Sequence, residues 1–241
     1  MEVNVLSQNK NFKKLIFLIP IIISLIILVI RVFISDWLET YSILIKEDGP
    51  IEYSTVIVYL AALIVSVNIL RFFKNDKKFF VLFLVFSIGF FLIAMEEISW
   101  GQRIFDFNTP DWFPKNIQHE TNLHNLETLI DFRHASMMSV SMFGTFAWLV
   151  FPKIQKIFRV FSEKTYATLL RVVIPSRYLM GYFFPVFIVF FIFDISNSTF
   201  FNFENKLNPI LYESEPFELL LGIGILLFLL NSYFKQKIIV K

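Results

Sequence analysis

Apolar residues fall along the chain in six runs separated by short polar stretches. They cover residues 15–34, 53–70, 79–95, 135–151, 178–195 and 217–234. None is shorter than the roughly 17 residues a helix needs to cross a hydrocarbon core of ~30 Å at 1.5 Å per residue. The fifth and sixth reach that length only with flanking Tyr, Ser and Asn residues such as Tyr178, Asn231 and Ser232. The pattern predicts an all-α integral membrane protein, a bundle of about six transmembrane helices forming one polytopic domain over residues 1–241. Between the fourth and fifth runs, Ile154, Ile157, Phe158 and Phe161 recur at helical spacing among basic residues. The stretch from Pro152 to Arg177 is therefore expected to form amphipathic helix on a membrane surface.

Composition agrees. Hydrophobic residues make up 56% of the chain and charged residues 17%, against roughly 25% charged in a soluble domain. The mean hydropathy is +0.64. Such a chain is too apolar for disorder. It has no cysteine, which excludes a disulfide framework, thiolate metal sites and a cysteine nucleophile.

The net charge of +2 conceals a sorting of signs. Lys10, Lys13 and Lys14; Arg71, Lys74, Lys77 and Lys78; Lys153, Lys156, Arg159, Lys164, Arg171 and Arg177; and Lys235, Lys237 and Lys241 fill alternate connections. Only Glu2, Asp76 and Glu163 accompany them, and the other acids fall in the remaining connections or at their helix ends. The positive-inside rule makes the basic connections cytoplasmic, with both termini inside and no conflict at any loop. Trp37, Tyr41, Trp100 and Trp112 then lie at the outer boundary, as an aromatic belt does. Arg31, Asp36, Trp37 and Glu39 follow the first run without a small-residue cleavage site, so it reads as an uncleaved first helix. Arg31 and Asp194 come at matching outer depths in spans one and five and are expected to pair.

Two short segments echo one another. Glu47-Asp48-Gly49-Pro50-Ile51-Glu52 and Glu213-Ser214-Glu215-Pro216-Phe217-Glu218 share the order Glu-x-x-Pro-apolar-Glu, and each leads into a span. Proline in the first turn and acids near a helix N-terminus make both good helix starts. The same order places Glu52 and Glu218 face to face at the outer mouth if spans two and six are parallel neighbours.

Candidate chemistry gathers on that outer side. Glu96 and Glu97 close the third run ahead of Ser99, Trp100, Gly101, Gln102 and Arg103. Glu96, Ser99 and Arg103 share one face if the helix continues. Adjacent carboxylates at a helix C-terminus repel one another and oppose the dipole, so a cation, a shared proton or another partner must stabilise them. Downstream, Glu120, His124, Glu127, Asp131 and His134 are spaced 4, 3, 4 and 3, and on a helix they would form one polar stripe. The expected site is an outward-opening pocket with Glu97, Glu120 and His124 at its centre, Glu96 beside them and Arg103 at the rim to hold an anionic head group. Carboxylates with imidazole suit a divalent metal, with Glu97, Glu120 and His124 as ligands, or metal-free acid–base work.

Known constellations do not fit. His119-Glu120 opens like a zincin motif, but position 123 is Leu. No two histidines have H-x-x-x-H spacing. Glu96-Glu97 is followed by Gly101 where an intramembrane glutamic protease of the CAAX type carries arginine. G-x-S-x-G and the P-loop are absent, and the scattered basic residues give no nucleic-acid surface.

Glu96-Glu97-x-Ser99-Trp100-Gly101-Gln102-Arg103, followed by Glu120-Thr121-Asn122-Leu123-His124-Asn125, resembles a group of uncharacterised multi-spanning bacterial membrane proteins over roughly residues 45–140. The resemblance implies a bacterial membrane protein and nothing about substrate, and the expected location is the plasma (inner) membrane. Three classes of function stay open: an enzyme, hydrolase or transferase, acting on a lipid or lipid-linked substrate; a small-molecule or ion transporter; and a non-catalytic assembly partner. Membrane lipid is the expected partner in each.

Overall fold

The computed structural model describes residues 10–33, 49–110, 113, 121–123, 126–197 and 214–240. All regular structure among them is helical. The helices are α1 (Lys10–Phe33), α2 (Pro50–Leu70), α3 (Lys77–Glu97), the single turn α4 (Gln102–Phe105), α5 (Glu127–Phe158), α6 (Glu163–Val172), α7 (Met180–Asn197) and α8 (Glu215–Val240). Six segments are long and apolar enough to cross a membrane, and they correspond to the six apolar runs.

Helix ends follow local chemistry. Gly49 precedes α2, and Pro50 occupies its first turn with Glu52, where the missing N–H costs nothing and the acid faces the positive end of the dipole. In α6, Ser162 caps the N-terminus by accepting a hydrogen bond from the Thr165 amide at 3.3 Å. The expected surface helix over 152–177 is divided. Pro152 does not end the fourth span, because α5 runs on to Phe158. Stacking of Phe151 on Tyr166 and its contact with Phe161, both at 5.6 Å between ring centroids, hold this end against α6. That packing offsets the one backbone bond that proline forfeits.

Contacts between helices fix their directions. Position 222 of α8 lies against Val58 and Tyr59 of α2, and Tyr233 of α8 meets Phe72 just beyond the other end of α2. Helices α2 and α8 are therefore parallel neighbours. Trp148 of α5 carries the Arg177 guanidinium 5.1 Å above its ring, while His134 packs on Phe190, so α5 and α7 run antiparallel. With α3 returning from the short turn at residues 71–76, the basic connections collect at one end of the bundle. The starts of α2, α5 and α8 and the end of α3 collect at the other.

In a bilayer, association rests on close packing and interhelical hydrogen bonds, since lipid is as apolar as leucine. Both occur here. Ser87 donates to the Ser66 hydroxyl at 3.0 Å, and Ser66 donates to the Phe83 carbonyl at 3.1 Å, tying α3 to α2. Gly181 lets the α1 backbone approach α7 so closely that a Cβ there would stand 2.1 Å from the Phe17 carbonyl oxygen. The Arg31 and Asp194 side chains, expected to pair where α1 and α7 adjoin, lie outside the described residues.

Candidate functional site

Helix α3 stops at Glu97 because the next residues leave helical space. Ser99, Trp100 and Gly101 have φ of 45°, 57° and 81°, a left-handed turn that only glycine adopts without cost. The expected common face of Glu96, Ser99 and Arg103 therefore does not form as a continuous helix. The turn instead presents Glu96, Ser99 and Gln102 to one short stretch of chain. The Leu123 amide donates to Glu96 Oε2 at 2.6 Å, the Asn122 side-chain amide donates to the Ser99 hydroxyl at 2.9 Å, and the Thr121 amide donates to Gln102 Oε1 at 2.6 Å. Three positions spaced by three thus bind three consecutive residues in reverse order. Glu96 Oε1 also accepts from the Trp100 indole at 2.7 Å. With both oxygens engaged, Glu96 clamps two segments together.

Glu97, one residue on, is buried at 7% exposure. It meets the first turn of α8. One oxygen each from Glu97, Glu215 and Glu218 lies within 4.8 Å of the other two. Glu218 is 2% exposed, and Ser214, immediately before α8, donates a hydrogen bond to its Oε1. Glu52 from the first turn of α2 and Arg133 from the second turn of α5 lie close enough to act on Glu97 electrostatically. Tyr59, 1% exposed, is in turn within reach of Glu97 and Glu218.

This arrangement answers the repulsion expected for acids at the end of α3. That negative helix end lies beside the N-terminal, positive ends of α2 and α8. Three gathered carboxylates in so dry a place call for a shared proton or a compensating positive charge. An all-oxygen set suits Mg, Mn or Ca better than zinc.

A cavity of about 820 Å³ opens from this cluster. Glu96, Glu97, Glu218 and Arg133 stand at its head, and the rest of its wall is almost wholly apolar, reaching Val173, Pro175 and Phe228 near the basic end.

Of the residues expected at the centre, Glu97 is the one that the described residues include. Glu96 lines the head of the cavity. Glu120, His124 and the Arg103 side chain lie outside the described residues. Thr121 to Leu123, between Glu120 and His124, are not helical, and α5 begins only at Glu127, so residues 120–134 do not form the single helix the stripe requires. His134, the last member of the stripe, is buried against Phe190. Sequence reasoning named Glu52 and Glu218 through the Glu-x-x-Pro-apolar-Glu echo and expected them to face each other at the outer mouth, but gave no role to Glu215, Arg133 or Tyr59. The available signal for Glu215 was its place in the second copy of the echo, directly before Pro216 and one helical turn before Glu218. Tyr59 had none, because it sits within an apolar run.

No family model matches the chain, and no curated protein and no solved structure matches it either.

Proposed function

We propose that the chain is a multi-pass membrane enzyme, a hydrolase or transferase, whose carboxylate centre acts on a lipid or lipid-linked substrate. The observation that carries this reading is the union in one cavity of a polar head bearing Glu97, Glu218 and Arg133 with an apolar body about 820 Å³ in all. A water-soluble solute would gain little from that body, whereas a hydrocarbon chain gains favourable contact along it. In this reading Glu97, Glu215 and Glu218 hold a divalent cation and supply the general base, since a cation at such a centre orients substrate and activates water. The charge sorting supports an orientation with the basic end in the cytoplasm and the centre facing outward, in a bacterial inner membrane.

Purified protein reconstituted with a total bacterial lipid extract and Mn²⁺ tests the reading. Mass spectrometry should show one lipid species falling and a product rising with wild type and not with Glu97→Gln. An unchanged lipid profile with folded wild type, or the same change with Glu97→Gln, would reject it.

A further inference from the structure

The cavity also has a cation and an opening that bear on what the centre accepts, and this inference rests on the enzyme reading above. Arg133 lines the head of the cavity, and its Nε is buried without a hydrogen-bond partner among the described residues. A guanidinium is a planar fork of donors that matches a phosphate through two parallel hydrogen bonds. A Mg²⁺ or Mn²⁺ ion on the glutamates would offset their charge, and such ions commonly complete their shell with substrate phosphate.

The opening lies between α3 and α5, which have no extensive backbone contact with one another among the described residues. Leu92 of α3 and Ser139, Val140 and Phe143 of α5 line the cavity there and are also exposed on the outside of the bundle. This portal is apolar and belongs to the belt of the helices that would face lipid. Inward from it, Glu218, Leu221, Ile225 and Phe228 line the slot on successive turns of α8. Ten residues of helix give a slot about 15 Å long, half the thickness of a hydrocarbon core.

We propose that the cavity admits a phosphate-headed lipid sideways from the leaflet through the α3–α5 portal. The phosphate rests on Arg133 and one hydrocarbon chain lies along the slot towards Phe228. Depth supports a lipid over free phosphate, because the slot beneath Arg133 offers phosphate nothing to bind.

The test uses the full chain in detergent with Mn²⁺, offered phosphatidic acid or a diacylglycerol with identical chains, with retained lipid counted by native mass spectrometry. Wild type should retain phosphatidic acid about tenfold better, a difference near 1.4 kcal/mol. Arg133→Gln should fall to the diacylglycerol level, while Ser139→Trp, an exposed position at the portal, should lose both lipids. Equal retention of the two lipids by wild type, or undiminished phosphatidic acid on Arg133→Gln, would overturn the head-group assignment. Undiminished binding by Ser139→Trp would overturn the route. Displacement of the lipid by millimolar inorganic phosphate would assign the site to free phosphate instead. The expected binding pattern without lipid conversion would sink the enzyme reading alone. Conversion that both variants leave untouched would sink this inference alone.

Discussion

The Asn122 side chain reaches across 23 residues to donate a 2.9 Å hydrogen bond to the Ser99 hydroxyl, and both residues are buried. Ser99 belongs to the left-handed turn that ends α3, and Asn122 to the non-helical stretch before α5. The bond is the middle one of three that seat Thr121–Leu123 on the turn. It fixes where α3 ends, and so the position of Glu97 at the head of the cavity.

Asn122→Ala should lower stability by about 1–3 kcal/mol, the usual cost of breaking a buried hydrogen bond. Thermal unfolding in detergent measures it. Leu123→Ala, an exposed neighbour whose backbone amide still reaches Glu96, should change the midpoint little. Equal effects of the two would show that the side-chain bond does not hold the turn.

Gly181 and Gly89 offer a matched pair. A Cβ at Gly181 would collide with the Phe17 backbone, whereas at Gly89 it meets nothing within 4 Å. Gly181→Ala should loosen α1 from α7 and expose the N-terminal helix to protease. Gly89→Ala should be neutral, or stabilising by up to about 1 kcal/mol through helix propensity. Limited proteolysis with thermal unfolding distinguishes them, and an intact α1 in Gly181→Ala would refute the close approach.

The absence of cysteine makes topology directly measurable. A single cysteine in place of Lys77, the first residue of α3, should resist an impermeant maleimide added to intact cells and react after lysis. One replacing Phe105, exposed beyond the opposite end of α3, should react in intact cells. The reverse pattern would invert the bundle and place the carboxylate centre on the cytoplasmic side.

The helices were legible because membrane-length apolar runs leave the chain few alternatives: six runs became six helices with ends shifted by a few residues. The largest shift, the growth of α5 from 135–151 to Glu127–Phe158, has two causes. Polar residues from Glu127 to His134 lower hydropathy without breaking a helix, and packing of Phe151 carries the chain past Pro152. The site was only half legible. Glu97 stood out because two carboxylates closed an apolar run. Its partners come from α8, more than a hundred residues away, and no periodicity within one segment reports that meeting. The left-handed turn at Ser99–Gly101 was hidden as well, since serine and tryptophan rarely adopt it. Reading onward as helix carried the Glu96 face across a turn that breaks it.

A centre built from Glu97, Glu215 and Glu218 should depend on a divalent cation. Treatment with EDTA should lower the unfolding midpoint of wild type, and Mn²⁺ or Mg²⁺ should restore it. Glu218→Gln should show neither change. A wild-type midpoint indifferent to chelation would remove the cation from the account.

The central claim is that carboxylates on α3 and α8 act as one centre on a lipid. The rate of lipid conversion by reconstituted wild type, Glu97→Gln, Glu218→Gln and the double variant tests it most directly. Groups that act as a unit are strongly non-additive. Each single variant should therefore lose on the order of 10²-fold or more, in the range of a lost acid–base group, and the double variant should be no slower than the worse single. Independent losses that multiply in the double variant, or single variants that convert lipid at the wild-type rate, would contradict the account.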